Sequence, residues 1–134
     1  MSVYPRASNL GAYQSAAAHG GVAAADPHGL VLMLMDGALQ RIAKARGCIE
    51  TGKLVEKSQL LHRVVQIIGE LRGSLDLSAG GEIAHNLSDL YDYMCRRLLK
   101  ASMDNSVPLL DEVSKLLREI RSAWSAIPPE ARTR

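Results

Sequence analysis

The apolar residues of this chain repeat at helical spacing from Asp26 onwards. Their first series advances by alternating steps of four and three residues, which places one side chain per turn on one face of an α-helix. Asp26 followed by Pro27 is a typical helix start, and Gly52 is a typical residue just past a helix end. A first helix is therefore predicted between them, with a buried face formed by Val31, Met35, Ala38, Ile42, Ala45 and Ile49.

Three further apolar series of the same period follow. The second ends before the Ser-Ala-Gly-Gly stretch at 78–81, the third ends around Asp104, and the fourth begins at the capping residue Ser106 and stops at Pro128. Four helices with short connections must run mostly antiparallel. The pattern predicts an all-α, up-down-up-down four-helix bundle over residues 26–127 and a tail over 128–134. The three series are Leu61, Val64, Ile68, Leu71 and Leu75; Ile83, Leu87, Leu90, Met94, Leu98 and Ala101; and Leu109, Val113, Leu116, Ile120 and Trp124.

The first 25 residues differ in composition from the rest of the chain. They are rich in Ala, Gly and Ser and show no sustained amphipathic pattern, so we predict a mobile N-terminal arm over residues 1–25. Leu10 and Tyr13 are among its few anchoring side chains. A net charge of +2 gives no electrostatic reason to expect nucleic acid. No secretory signal or apolar stretch of membrane-spanning length is visible, and we expect a cytoplasmic protein without membrane insertion.

The first helix carries more apolar side chains than a bundle interior requires. Six consecutive apolar residues, Leu30 to Met35, cover its whole circumference at about 100° per residue. Some of them must point away from the core, and the cover is the arm, a second subunit or a bound client. Gly37 follows this run directly. The helical glycines at 37, 47, 69 and 73 suggest close helix crossing, or at Gly37 the close approach of a bound peptide.

The sequence contains no convincing catalytic arrangement. Glu82 and His85 have the Glu-x-x-His spacing of di-iron bundles, but such a site needs a second pair and two further carboxylates. His62 and His85 are candidates for a phosphotransfer bundle, and neither has a phosphotransfer signature around it. We therefore expect no metal site, no cofactor and no enzymatic activity. The phosphotransfer bundle and a purely structural homodimer remain the alternatives to a binding protein.

Four blocks of the sequence resemble the flagellar export chaperone family known as FliS. They cover residues 10–127 in order, and the stretch LYDYM followed by two arginines is specific in combination with the LDEV ending. Met35 stands where the family usually has an aromatic residue. The blocks are DPHGLVLMLMDGALQRIAKA from Asp26, ELRGSLDL from Glu70, GEIAHNLSDLYDYMCRRLLKA from Gly81 and LDEVSKLLREIRSAW from Leu110.

The resemblance implies an antiparallel four-helix bundle that acts in the cytosol. Such a protein binds the C-terminal segment of flagellin, prevents its premature polymerisation and delivers it to an export gate component of the flagellar type III apparatus. Other flagellar regulators are further candidate partners. An N-terminal segment, matched here by Leu10 and Tyr13, covers the apolar groove until the client arrives. We expect the client to contact Leu30, Leu32, Met33, Leu34, Leu87, Tyr91 and Tyr93.

Overall fold

The computed structural model describes residues 26–131, and these form an antiparallel four-helix bundle. Its helices are α1 (Pro27–Thr51), α2 (Leu54–Gly73), α3 (Leu77–Asp104) and α4 (Val107–Ser125), followed by a short 3-10 turn at Pro129–Ala131. α1 packs against α2 and α4, and α3 packs against the same two helices. The four helices therefore form a ring around one core, which confirms the predicted architecture. The predicted arm, with Leu10 and Tyr13, lies outside the described residues.

The helix ends follow the local sequence signals. The Asp26 side chain accepts a hydrogen bond from the backbone N–H of His28, and Pro27 occupies the first turn. Gly52 adopts the left-handed conformation (φ 77°) that closes α1. The Ser106 hydroxyl accepts a bond from the N–H of Leu109 at the start of α4. These ends leave only short connections, which is why neighbouring helices are antiparallel.

The core consists of aliphatic residues, two methionines and one tyrosine, as expected for a chain without phenylalanine. On α4, Val113 is fully buried as predicted, but Leu110 and Leu117 take the fully buried places predicted for Leu109 and Leu116, which are partly buried. The buried cluster comprises Val31, Leu34, Met35, Ala38, Ile42, Ala45, Leu61, Val64, Ile67, Ile68, Leu71, Tyr91, Met94, Leu98, Ala101, Leu110, Val113 and Leu117.

The start of α3 differs from the prediction. Asp76 accepts a hydrogen bond from the N–H of Ala79, so the stretch at 78–81 forms a capped helical turn rather than a linker. Gly81 then interrupts the helix with φ 59° and ψ −143°, a conformation that favours glycine. The interruption changes the direction of the following side chains. Ile83, predicted to be interior, is exposed, and Ala84 is buried in its place.

Polar contacts between neighbouring helices add to this packing. Lys57 of α2 is buried, and its ammonium group donates to the carbonyl of Ser102 (2.6 Å) and to the side chain of Asn105 (2.8 Å) at the C-terminus of α3. A cation at this end complements the helix dipole. Arg121 of α4 binds both carboxylate oxygens of Asp36 on α1. Within residues 26–131, none of the helices combines the length and apolar content of a bilayer span.

Candidate functional site

The apolar run of α1 is divided between core and surface. Leu30, Val31, Leu34 and Met35 are buried, Leu32 is half-buried, and Met33 remains 40% exposed. The bundle core therefore buries most of the apolar side chains in this run, and Met33 is the one that stays accessible to solvent.

Met33 stands at the edge of a crevice between α1 and α2. This α1/α2 crevice has a volume of about 120 Å³ and is lined by Met33, Leu34, Gly37, Arg41, Arg63 and Ile67. A side chain at position 37 would crowd Arg41, because a β-carbon there would lie 3.2 Å from its guanidinium nitrogen. At Gly47 and Gly69 an added β-carbon would meet nothing within 4 Å. The prediction that these two glycines mark close helix crossings is therefore wrong.

A second, larger crevice lies where α3 is interrupted. We call it the kink pocket; its volume is about 320 Å³, and its apolar walls include Leu75, Ile83, Leu87 and Trp124. Gly80 also lines it. A β-carbon at Gly80 would approach Ala84 to 2.5 Å, so only glycine fits this turn. The glycine pair at 80–81 therefore both bends α3 and makes room beside Trp124.

The predicted client contacts do not form one surface. Met33 and Leu34 border the α1/α2 crevice, whereas Leu87 lies in the kink pocket on the α3/α4 side of the ring. Tyr91 is fully buried in the core, and Leu30 and Leu34 have little exposed area. In the conformation described, Met33 and Leu87 are the predicted residues best placed to touch another molecule.

Tyr93 connects α3 to α4. Its hydroxyl donates a hydrogen bond to Glu112, and Arg97 binds the second oxygen of the same carboxylate at 2.9 Å. The Tyr93 hydrogen bond and that of Arg97 lower the pKa of Glu112, and the bond to Glu112 raises the pKa of Tyr93. Arg97 also lies 5.6 Å from the centre of the Tyr93 ring. The tyrosine therefore has a structural role between two helices.

Sequence reasoning missed Glu70, a buried carboxyl of α2. Only 8% of the residue is exposed, and within the described part of the chain no group donates a hydrogen bond to its Oε2 atom. It lies three and seven residues after Ile67 and Arg63, on the α2 face that lines the crevice. Burial raises the pKa of Glu70, and the charge of Arg63 partly opposes this. The sequence feature that could have identified Glu70 is its position among the apolar residues of α2.

We expect Glu70→Gln to stabilise the protein increasingly as the pH rises. Because the pKa of Glu70 is raised in the folded state, the folded chain binds this proton more tightly than the unfolded chain does. The protonated Glu70 carboxyl therefore stabilises the wild-type fold below the unfolded-state pKa near 4.5. This stabilisation is lost as the pH rises through the higher pKa of the folded state. Urea unfolding of both proteins between acidic and neutral pH measures the difference.

The control for this experiment is Glu119→Gln, because Glu119 is exposed on α4. It should stay within about 0.5 kcal/mol of wild type. A Glu70→Gln protein that tracks wild type at every pH would show that burial does not penalise this carboxylate.

A contact between His28 and Trp124, also missed from the sequence, joins the start of α1 to the end of α4. The two rings stack with centroids 4.9 Å apart and an angle of 14° between their planes. The indole Nε1 donates to the backbone carbonyl of His28 at 3.1 Å, and His28 Nε2 contacts the backbone carbonyl of Trp124. A carbonyl only accepts, so Nε2 carries the hydrogen. This His28–Trp124 clasp also holds one wall of the kink pocket in place.

The histidines considered for chemistry have ordinary surface positions. His62 and His85 are exposed, and so is Glu82. In the region from 26 to 131, no group of three or more His, Cys, Asp or Glu side chains is arranged to hold a metal ion. The notable features of the surface are therefore apolar crevices, which suit the binding of another polypeptide.

Comparison with known proteins points to the same kind of function. Residues 8–131 match the family described as Flagellar protein FliS. Flagellar secretion chaperone FliSB of Pseudomonas aeruginosa is 46% identical over 115 residues, covering 86% of this chain and 91% of the relative. Flagellar secretion chaperone FliS of Salmonella typhimurium is 44% identical over 126 residues, covering 93% of each. That of Vibrio cholerae is 38% identical over 122 residues, covering 91% and 90%. With this family match and these identities over most of the chain, the chain belongs to the FliS family of flagellar secretion chaperones.

Proposed function

We propose that this chaperone acts in the cytosol on the C-terminal segment of flagellin, keeps that segment from polymerising and delivers it to the flagellar export gate. Family membership supports the flagellar export role, and the resemblance identified from the sequence blocks supports flagellin as the client. Other flagellar regulators are proposed as further partners. The observation that carries the proposal is Met33, an accessible apolar side chain at the rim of an apolar crevice.

The crevices suit an amphipathic helix rather than a folded domain. Such a helix inserts side chains from successive turns into pockets, at the i, i+3, i+4 and i+7 positions. In our proposal one client side chain enters the α1/α2 crevice above Gly37 and packs against Met33. Leu34 and Ile67 form the apolar floor, so the client buries apolar area without disturbing the core.

The two crevices require a long client segment. The α1/α2 crevice and the kink pocket lie on opposite sides of the helix ring, so one client reaches both only by passing around the bundle. A segment that is disordered when free can follow such a path. Ordering it costs several kcal/mol, and contacts at both crevices help to offset that cost.

The expected client residues take different parts in this proposal. Met33 and Leu87 contact the client directly, with Leu32 beside them. Leu30, Leu34 and Tyr91 shape the surface from below, because they are buried. Tyr93 fixes α3 against α4. Leu10 and Tyr13 of the arm compete with the client for the apolar surface, which would make occupancy a switch.

We expect Met33→Asp to weaken flagellin binding at least tenfold while the bundle stays folded. The new carboxylate would face the crevice and lose its hydration when a client side chain enters. Because Met33 is already partly exposed, the free protein keeps that charge in water. Calorimetric titration with the C-terminal segment of flagellin measures the affinity, and circular dichroism checks the fold.

Met103→Asp is the matched control, since Met103 is 81% exposed and lies outside both crevices. It should bind within twofold of wild type. Equal affinity of the two variants would remove the α1/α2 crevice from the client interface.

A further inference from the structure

We propose that the α1/α2 crevice selects a client helix by charge as well as by apolar fit. The helix carries an acidic side chain that pairs with Arg41 and a hydrogen-bond donor that reaches Glu70, with an apolar residue between them. This inference rests on the proposed function and names the chemistry of the partner at that site. It follows from two polar side chains whose contacts within the bundle are incomplete.

Arg41 supplies the positive end of the crevice. Its guanidinium donates to the backbone carbonyl of Gly37 at 3.0 Å, and no carboxylate among residues 26–131 forms an ion pair with it. In contrast, Arg46, Arg97 and Arg121 each bind a carboxylate on another helix. A half-buried guanidinium on an apolar crevice can bind a carboxylate through two parallel N–H groups.

Glu70 supplies the acceptor from a buried position on α2, about one helical turn beyond Ile67 of the crevice wall. Its Oε2 atom is buried and, within the described part of the chain, accepts no hydrogen bond. An unsatisfied buried acceptor destabilises the free protein. Because the Oε2 atom is buried, the Glu70 carboxylate must turn toward the crevice before a donor from the client can reach it, so in this proposal the hydrogen bond forms only in the complex. Lys, Arg, Gln, Asn and Ser side chains can all supply such a donor.

The spacing of Arg63 and Glu70 along α2 sets a pattern in the client. Arg63, which lines the crevice together with Arg41, lies seven residues before Glu70 on α2. Seven residues are about two helical turns, or roughly 10.5 Å. A client helix lying along the crevice would therefore carry its acid and its donor about seven residues apart. The apolar residue three or four positions from each would enter beside Gly37.

Binding of the C-terminal segment of flagellin to full-length variants tests this proposal. Arg41→Gln should weaken binding about tenfold, equivalent to ~1.4 kcal/mol, and should reduce the dependence of affinity on salt. Arg118→Gln is the matched control, because Arg118 is exposed and donates a hydrogen bond to Ser114 of its own helix. It should bind within twofold of wild type. Equal affinity of these two variants would overturn the proposal.

The Glu70→Leu variant distinguishes a role of Glu70 in client binding from a purely structural role. The variant should resist urea better than wild type, because an unsatisfied carboxyl is removed from an apolar site. It should nevertheless bind flagellin several-fold more weakly. Improved stability with unchanged affinity would overturn the part assigned to Glu70.

A double-mutant cycle identifies the occupant. Each Asp and Glu of the flagellin segment is neutralised in turn, and one of these changes should weaken binding to wild type but not to Arg41→Gln. Absence of any coupled acid would overturn the proposal. So would a wild-type dimer in light scattering that Arg41→Gln dissociates, or loss of the Arg41 effect on removal of residues 1–25. Wild-type protein that fails to bind flagellin would instead refute the proposed function itself.

Discussion

Leu34→Asp is expected to unfold the bundle or leave it only marginally stable. Leu34 is 3% exposed and belongs to the central apolar cluster. Removing its side chain costs about 2–5 kcal/mol, and a buried carboxylate without a partner adds several kcal/mol more. The sum reaches the whole stability of a typical domain, about 5–15 kcal/mol. Far-ultraviolet circular dichroism and the urea midpoint measure the loss.

Met33→Asp introduces the same carboxylate one residue earlier and serves as the comparison. Because Met33 is 40% exposed, that variant should keep its helical signal while losing affinity for flagellin. A Leu34→Asp protein with wild-type stability would place Leu34 on the surface of the client groove instead of in the core. The pair thus separates a binding residue from a core residue on adjacent positions of one helix.

These two residues also show what the α1 sequence can and cannot predict. Six consecutive apolar residues must cover the circumference of a helix, so the existence of an accessible residue follows from the sequence. Which residue it is depends on the angles at which α2 and α4 pack, and these are set by contacts distant in sequence. One such contact is the Arg121–Asp36 pair, which joins positions 85 residues apart.

Helix boundaries were predictable where a side chain caps the backbone locally. Asp26 and Ser106 each bind an N–H two or three residues ahead, so short-range chemistry was sufficient. The start of α3 was not predictable in this way. The Ser-Ala-Gly-Gly composition suggested a linker, but the Asp76 cap extends the helix backwards and the positive φ of Gly81 confines the irregularity to one residue. The kink pocket arises from that combination.

The polar part of the candidate site could not be predicted for a related reason. Arg41 and Glu70 look like ordinary charged residues, because most such residues are solvated. Their significance lies in missing contacts: Arg41 has no carboxylate partner and Glu70 Oε2 no donor among residues 26–131. An absent contact between helices leaves no trace in the periodicity of either helix. Only the packed arrangement shows it.

Trp124→Ala is expected to cost about 3 kcal/mol of unfolding free energy, in the range for removing a large aromatic side chain. It would remove the stacking on His28 and the hydrogen bond from the indole to the His28 carbonyl. The start of α1 would then be held less firmly against α4. Chemical denaturation followed by circular dichroism gives the stability change, and amide hydrogen exchange shows where the structure has loosened.

The clasp bears on function because it joins the kink pocket to the first turns of α1. Trp124 forms a wall of the kink pocket, and His28 begins the helical turns that carry Met33. Trp124→Phe keeps an aromatic ring but loses the donor to the His28 backbone carbonyl, so it should cost only about 1 kcal/mol. Trp124→Ala and His28→Ala should couple in a double-mutant cycle, because either change removes the stacked ring pair. Additive effects of those two changes, or unaltered exchange at residues 30–34 in Trp124→Ala, would mean that each ring only fills space. Non-additivity would instead show that the two rings stabilise the fold as one contact between the start of α1 and the end of α4.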